Sequence, residues 1–347
     1  MKIDWEKLEQ VDKRIVYGVA GGIFALILLV IGVIVWGGKK NRTVPEQKTV
    51  TVPAAQKPDE DKNVRKKVEL LTGVQGSLAG VAVMDEDTLL VTDEYSKVIW
   101  EIKGGKATVL AGKTGPDDEY GEPLGGYHDA KLEEARFEKP WGITRYLNGW
   151  AVCDSTNRVI RYFDGELVRT AAYKNSERTL VNPMGLASDD EGNLYIADAG
   201  ADMVYKMDTK GILTPLADGF NAPCGVCWSN GVLYVADTGN HRICVIEKGL
   251  IRVFAGSREG FKDGTAEESC FQNPQGVTVG EDGCVYVADT GNSAIRVIKD
   301  GEVKTLLNCT NDSTWPVAPV SLAPYKGGLV VVDDFAGVVF TMPYVKK

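Results

Sequence analysis

Histidine is scarce in this chain. Its 347 residues include only two, His128 and His241. A zinc centre built on three histidines therefore cannot form from one copy of the chain. No arrangement typical of a serine or cysteine triad is recognisable either, so the sequence offers no obvious residue set for nucleophilic catalysis.

Positive charge is scarce in most of the chain. Residues 1–65 hold 11 Lys/Arg and 8 Asp/Glu, which leaves 28 and 40 for residues 66–347, a net charge of −12. A phosphate backbone would repel so acidic a region. We therefore expect no nucleic-acid partner.

The cysteines do not indicate a framework of disulfide bonds. There are seven, all between Cys153 and Cys309, and an odd number cannot pair completely within one chain. Cys224 and Cys227 have the spacing of a redox or metal pair, but at the start of a strand residues three apart point to opposite faces. Packing is the favoured interpretation of this pair. A bond between Cys309 and Cys270 is an alternative that the sequence leaves open.

Long apolar runs are absent except for one. Residues 15–38 contain no charged residue, and as a helix they would span roughly 36 Å, enough to cross a bilayer. A cleaved signal peptide would have a shorter apolar region and a small-x-small cleavage site. We expect a transmembrane helix at 15–38, a short cytoplasmic tail at 1–14 and a flexible linker at 39–65.

Four basic residues flank the run on each side, so charge does not decide the orientation. We expect a single-pass protein of the cell membrane with its main domain outside the cytoplasm.

What the sequence does contain is a repeat. The string VADTGN begins at Val235 and again at Val287. Weaker copies bring the total to six β-rich runs, each ending in an aspartate: Asp93, Asp154, Asp198, Asp237, Asp289 and Asp333. A strand introduced by Pro-x-Gly, or by a degenerate version of it, precedes each run, and further strands follow. Strand–turn–strand units recurring every 39–61 residues indicate a β-propeller with one blade per repeat.

The segment NPQGVTVGEDGCVYVADTGNSAIRVI, Asn273–Ile298, resembles the NHL-repeat family. The resemblance covers about Val68–Tyr344. It implies an all-β fold, a six-bladed propeller at residues 66–347, preceded by the N-terminal transmembrane helix. The last blade lacks a fourth strand, and KKVELLTG at the start of the domain matches the outer strand GKATVLAG. We therefore expect residues 68–71 to complete the last blade and close the ring.

The expected site lies on one face of the propeller. In an up-and-down blade, the aspartate turns, the Pro-x-Gly segments and both long loops emerge on the same side. The aspartates can accept backbone N–H groups within their turns, which favours a structural role. Candidates for a ligand-binding face are the variable residues of Pro-x-Gly and of the turns: Trp141, Met184, Cys224, Gln275, Tyr95, Arg158, His241 and Phe335. The alternative is that these side chains pack against neighbouring loops.

Two functions fit these observations best, and a sensor subunit for another membrane protein is a third alternative. The favoured one is a membrane-anchored binding or scaffold module for a protein, a peptide or an envelope glycan. The alternative is a metal-dependent enzyme similar to propeller lactonases or lyases, with its site in the central channel. Its metal would be a carboxylate-bound calcium ion, as in gluconolactonase-like propellers. No cluster of Glu, Asn and Asp at matching blade positions supports such a site, so we predict no cofactor and leave calcium open.

Overall fold

The computed structural model describes residues 69–73, 76–171, 179–308 and 318–344 of the chain. These residues form 26 β-strands and two single-turn 3-10 helices, Thr238–Asn240 and Thr290–Asn292. No α-helix occurs among them, and none of their helices is long and apolar enough to cross a membrane. The expected cytoplasmic tail, transmembrane helix and linker lie outside the described residues.

The strands group into six sheets. The first strand in chain order is β1 (Glu69–Gly73), which belongs to the sheet of blade 6. Blade 1 follows, with β2 (Leu78–Val83), β3 (Thr88–Asp93), β4 (Val98–Lys103) and β5 (Lys106–Ala111). Blade 2 has β6 (Ala130–Lys131), β7 (Pro140–Tyr146), β8 (Gly149–Asp154), β9 (Val159–Phe163) and β10 (Leu167–Thr170). Blade 3 has β11 (Pro183–Ser188), β12 (Leu194–Asp198), β13 (Met203–Met207) and β14 (Leu213–Ala217).

The second half of the ring repeats this plan. Blade 4 has β15 (Val226–Ser229), β16 (Val232–Asp237), β17 (Arg242–Glu247) and β18 (Leu250–Ala255). Blade 5 has β19 (Gly264–Thr265), β20 (Gly276–Val279), β21 (Val285–Asp289), β22 (Ala294–Lys299) and β23 (Glu302–Asn308). Blade 6 has β24 (Pro319–Tyr325), β25 (Gly328–Asp333) and β26 (Val338–Pro343).

Every blade is an antiparallel sheet, and the strands of blades 1, 3 and 4 follow sequence order from the axis outward. In blades 2, 5 and 6 the inner strands do the same, but the outermost strand comes from earlier in the chain: β6, β19 and β1. The innermost strands of consecutive blades contact one another, and β24 of blade 6 contacts β2 of blade 1, so the ring is closed. The fold is therefore an all-β six-bladed propeller. Strand β1 pairs with β26, with Glu69 opposite Thr341, and is the outermost strand of blade 6. This is the place expected for residues 68–71, although Val68 lies outside the described residues.

The core is divided among the gaps between blades. Each of six apolar clusters in the described chain joins the facing sides of two neighbouring blades. Tyr286 of blade 5 and Phe340 of blade 6 belong to one of them. Because a blade packs on both faces, its second strand is apolar almost throughout, and Gly328–Asp333 is buried at every position. Continuous apolar runs rather than alternation mark these strands in the sequence.

Candidate functional site

The six repeat aspartates are structural anchors. All six are fully buried. Asp198 illustrates their role, since its carboxylate accepts the backbone N–H groups of Val181 at 2.8 Å and Asn182 at 2.7 Å, besides that of Gly200 in its own turn. Each of the five from Asp154 onward accepts an N–H from a loop 15 to 17 residues earlier in the chain. The aspartate therefore joins its turn to the loop that enters the same blade. The sequence predicted only the hydrogen bonds within the turn. Burial raises the pKa of Asp289, against the opposing effect of Arg296.

The residue after the aspartate links neighbouring blades. The hydroxyl of Thr238 donates to the carbonyl of Pro274 at 2.7 Å, and that of Thr290 donates to Pro319 at 2.7 Å. Ser155 donates in the same way to Pro183. These contacts run between blades 4 and 5, blades 5 and 6, and blades 2 and 3. The turns and the Pro-x-Gly segments therefore lie on one face of the ring, which we call the upper face.

Blades 1 and 6 depart from this pattern, because carboxylates replace the hydroxyl. Ser77 Oγ contacts Glu94 Oε1 at 2.9 Å and also Asp334 Oδ1. Lys139 Nζ lies 2.7 Å from Glu94 Oε2 and 4.7 Å from the ring centre of Trp141. One serine hydroxyl can donate to only one acceptor, so the second contact requires a proton on a carboxyl group. Burial, together with the negative charges of Glu94 and Asp333, raises the pKa of Asp334 to about 6, while Ser77 and Lys139 oppose the rise.

This raised pKa makes stability depend on pH. The folded state holds the Asp334 proton more tightly than the unfolded chain, whose aspartates titrate near 3.8. The resulting stabilisation is complete below that value and is lost as the pH rises through about 6. Asp334→Asn has no proton to lose, so it should be more stable than the wild type at pH 8, by up to about 3 kcal/mol, and similar at pH 4.

Urea unfolding of the full-length chain at pH 4 and pH 8 measures this difference. Asp300→Asn, in an exposed turn, is the matched control for the removal of one carboxylate. If Asp334→Asn and Asp300→Asn behave alike, the carboxyl cluster does not hold the proton.

Two buried arginines organise the long loops on the upper face. Arg296 is fully buried and binds Asp289 and Asp263, each at 2.6 Å, together with two loop carbonyls. The rings of Phe261 and Phe271 lie on either side of its guanidinium, 5.0 Å away. Asp263 also accepts the N–H and hydroxyl of Thr305 on the outer strand β23. The guanidinium thus fixes the loop between blades 4 and 5 to blade 5.

The same clamp recurs in blade 2. Arg161 is fully buried and binds Asp154 at 3.0 Å and Asp129 at 2.7 Å, between Tyr127 and Phe137. Blades 2 and 5 are opposite each other in a ring of six, so the two long loops stand on opposite sides of the upper face. Sequence reasoning missed both arginines. The available signal was an arginine seven residues after the repeat aspartate in only the two blades that have a long loop.

An axial cavity of about 450 Å³ runs between the innermost strands of all six blades. Four of the predicted ligand-face residues, Trp141, Met184, Cys224 and Gln275, line it together. Arg145 is the one charged residue among the described residues that line the cavity. The Oε1 atom of Gln275 is buried and has no hydrogen-bond partner among the described residues. A buried amide oxygen without a partner is destabilising by about 1–3 kcal/mol.

Glycines form the wall of this cavity. A Cβ atom added to Gly185 would lie 2.0 Å from the carbonyl oxygen of Cys224 in the next blade. A Cβ atom added to Gly80, Gly142 or Gly225 would likewise lie 2.3–2.4 Å from a backbone carbonyl oxygen of the next blade. Blade 6 has Ser321 in this position, and its hydroxyl oxygen accepts the N–H of Val81 at 3.3 Å. The glycine of Pro-x-Gly therefore serves the close packing of inner strands around the axis.

Comparison with known proteins identifies the family. The model of the family described as SMP-30/Gluconolactonase/LRE-like region matches residues 127–309, more than half of the chain. The chain belongs to this family. It is 36% identical over 197 residues to SUPPRESSOR OF QUENCHING 1 of Arabidopsis thaliana, and 48% identical over 68 residues to human NHL repeat-containing protein 2. These matches cover 48% and 19% of the chain but only 17% and 9% of the relatives. The NHL-type resemblance is confirmed.

Solved structures share the propeller fold at low sequence identity. The gluconolactonase XC5397 of Xanthomonas campestris is 17% identical, with a TM-score of 0.60 over 84% of this chain and 96% of its own. An auxiliary nutrient binding protein of Bacteroides ovatus is 14% identical, with a TM-score of 0.59 over 79% of this chain and 70% of its own. A lactonase and a binding protein are thus both similar in fold, and the similarity does not choose between their activities.

The described lining of the axial cavity does not suit a carboxylate-bound metal. Its described lining has no aspartate, glutamate or histidine. Among the described residues as a whole, no group of three His, Cys, Asp or Glu side chains is placed to hold a metal ion. Calcium requires several oxygen ligands, usually including carboxylates. The side-chain oxygen donors of the described lining are the amide of Gln275 and four hydroxyls, of Thr144, Ser188, Thr278 and Ser321, and none of them is a carboxylate.

The turn residues predicted for the ligand face have different surroundings. The positions four after the aspartate in blades 1 to 5 adopt left-handed backbone conformations, including Arg158 and His241 with φ of 59° and 56°. His241 Nδ1 accepts the N–H of Asn273 at 3.1 Å, so this side chain supports the next loop. Arg158 is exposed. Tyr95 and Phe335 are exposed too, and both lie beside the carboxylates around Ser77.

The cysteines described by the structure are free thiols: Cys153, Cys224, Cys227, Cys244, Cys270 and Cys284. Burial raises the pKa of Cys224 and of Cys227, which disfavours the thiolate that redox chemistry requires. Of these two cysteines, Cys227 belongs to strand β15 and Cys224 precedes it. Cys270 lies near Ser257, and Cys309 lies outside the described residues.

Proposed function

We propose that this chain is a binding or scaffold module that holds part of a protein, a peptide or an envelope glycan at the mouth of its axial cavity. We also propose that residues 15–38 anchor it in the cell membrane with the propeller outside the cytoplasm. The propeller fold of the family is compatible with catalysis as well as binding. The proposal therefore rests on the residues of the cavity.

The unpartnered amide of Gln275 is the observation that carries the proposal. A ligand N–H or O–H donor would satisfy its buried oxygen and remove the cost of leaving it unbonded. Trp141, Met184 and Cys224 supply apolar and aromatic surface at the same mouth. A few polar groups in an apolar cavity of several hundred Å³ are typical of a site for a small molecule or an inserted side chain.

A metal-dependent lactonase or lyase is less well supported. Such an enzyme needs ligands for its metal and a group with a suitable pKa beside the substrate. The described lining of the cavity supplies no carboxylate or imidazole for either task. Its only charged side chain, Arg145, would repel a divalent cation.

Gln275→Met should separate a ligand-binding amide from a structural one. Methionine keeps the length of the side chain and removes the unpartnered oxygen, so the free energy of unfolding should rise by about 1 kcal/mol. Ligand binding should weaken about tenfold, because one hydrogen bond to the ligand is lost. Urea unfolding and glycan and peptide arrays probed with the full-length chain measure the two effects.

Gln272→Met is the matched control. Its amide donates to Glu259 at 3.1 Å on the adjoining loop and does not line the cavity, so array binding should not change. A loss of stability in Gln275→Met together with unchanged array binding would show that the amide is structural. Stoichiometric calcium or zinc in the purified chain, with no array binding, would support the enzyme instead. Protease treatment of intact cells tests the membrane orientation. If the propeller lies outside the cytoplasm, residues 66–347 should be digested.

A further inference from the structure

Exposed aromatic side chains are concentrated where blade 6 meets blade 1. Tyr95 and Phe335 occupy the second position after the repeat aspartate, and they are 41% and 58% exposed. The corresponding residues of blades 3, 4 and 5 are the glycines of the turns, at 200, 239 and 291. A Cβ atom at any of these glycines would collide with the loop that enters the same blade. Aromatic residues in this position are therefore a local departure from the repeat.

Contacts through Ser77 bring the two turns together. The Ser77 hydroxyl reaches both Glu94 and Asp334, the residues that directly precede Tyr95 and Phe335. The two aromatic residues thus belong to one continuous stretch of the upper face. Lys139 joins this stretch to the cavity mouth, because its ammonium group contacts Glu94 and the ring of Trp141.

A third aromatic residue comes from the loop between blades 1 and 2. This loop is longer than its counterpart between blades 4 and 5, and its extra residues form a small hairpin in which Asp117 is bridged to Pro123. Asp118 accepts the N–H groups of Tyr120 and Glu122, which holds Tyr120 at the tip, where it is 77% exposed. Burial and the negative charges of Glu122, Asp117 and Asp118 raise the pKa of Tyr95, in agreement with a hairpin that lies beside it.

The aromatic patch formed by Tyr95, Tyr120 and Phe335 is therefore surrounded by negative charge. The carboxylates are Glu94, Asp117, Asp118, Glu119, Glu122 and Asp334. These six carboxylates outnumber the four cations of the same region, which are Lys97, Lys113, Arg136 and Lys139, and Lys139 is already paired with Glu94. A partner must therefore bring positive charge, and an anionic lipid or a nucleic acid would be repelled.

We propose that this aromatic patch is the docking surface for an arginine-containing extended segment of a protein partner. A guanidinium group stacks on aromatic faces and forms paired hydrogen bonds with carboxylates, and the patch offers both within one surface. Because the patch continues through Lys139 to Trp141, a segment bound there could enter the cavity mouth. The inference rests on the binding role proposed above and specifies the chemistry of the partner.

Fluorescence polarisation with the full-length chain tests this docking surface. The probes are fluorescein-labelled octapeptides from a library in which one position is fixed as arginine, each with a matched peptide carrying neutral citrulline. We expect arginine peptides that bind at least about tenfold more tightly than their citrulline counterparts. Their binding should weaken as salt is raised from 50 to 500 mM, because the hairpin carboxylates Asp117, Glu119 and Glu122 are exposed to screening (a Debye length of about 10 Å at 0.1 M).

Substitution of two exposed aromatic residues tests whether the peptides bind at the patch. The double variant Tyr120→Ser, Phe335→Ser should lose at least about tenfold in affinity, whereas Leu250→Ser on the outer strand β18, 75% exposed, should lose none. If no arginine peptide exceeds its citrulline counterpart, or if Leu250→Ser weakens binding equally, the inference is wrong. A ligand that depends on Gln275 but not on Phe335 would overturn this inference and leave the proposed function standing. Arginine peptides insensitive to Gln275→Met would support the patch and contradict the role of the cavity.

Discussion

Arg296→Met lowers the free energy of unfolding by about 3–5 kcal/mol, the expected result of removing one partner from a buried ion pair. Methionine fills much of the same volume but leaves Asp289, which is fully buried, and Asp263 without their cation. The carbonyls of Cys270 and Lys262 lose their donor as well. Urea unfolding of the full-length chain measures the change.

Arg252→Met is the matched control for this substitution. Arg252 is exposed on the outer strand β18, where its guanidinium lies 5.7 Å from the ring centre of Phe254. Its loss should change stability by less than about 1 kcal/mol. Arg296→Lys keeps the charge without the forked donors and should have an intermediate effect. A loss below 1 kcal/mol for Arg296→Met would mean that this guanidinium does not hold the loop between blades 4 and 5.

Gly185→Ala should lower the free energy of unfolding by about 3 kcal/mol. The added methyl group would lie 2.0 Å from the carbonyl oxygen of Cys224, and the clash is with the backbone of the next blade rather than with a movable side chain. Relief requires the inner strands of blades 3 and 4 to separate, which disturbs the packing of both blades. Thermal and urea unfolding of the full-length chain provide the measurement.

Blade 6 provides the matched control for Gly185→Ala. Ser321 occupies the same position in blade 6 and already has a Cβ atom, so Ser321→Ala adds no volume. It removes one hydrogen bond to Val81 and should lower stability by only about 1 kcal/mol. If Gly185→Ala costs no more than Ser321→Ala, the inner strands are less tightly packed than the close approach indicates.

Repetition made the fold accessible from the sequence. A run of buried residues ending in aspartate recurs six times, and a blade cannot bury its two faces without neighbours, so the copies indicate a closed ring. The sequence also predicted that Trp141, Met184, Cys224 and Gln275 lie together, because symmetry places equivalent positions at equivalent distances from the axis. Strand β1 lies where the missing fourth strand of blade 6 was expected.

Non-repeating contacts were harder to predict. The pairing of Arg296 with Asp263 joins residues 33 positions apart, and its strength depends on complete burial between two phenylalanines. The cluster around Ser77 joins residues 257 positions apart, across the closure of the ring. No local pattern in the sequence reports such distances.

The sequence by itself determined the number of blades, the structural role of the repeat aspartates and the face on which the variable residues lie. Each of these follows from periodicity, which is a property of the chain alone. Only the tertiary structure decided that the described lining of the cavity has no carboxylate and that the Gln275 amide oxygen has no partner among the described residues. It also brought Glu94, Asp334 and Ser77 together. The physical reason is that solvation, proton sharing and pairing depend on which groups exclude water from one another, and those groups come from distant blades.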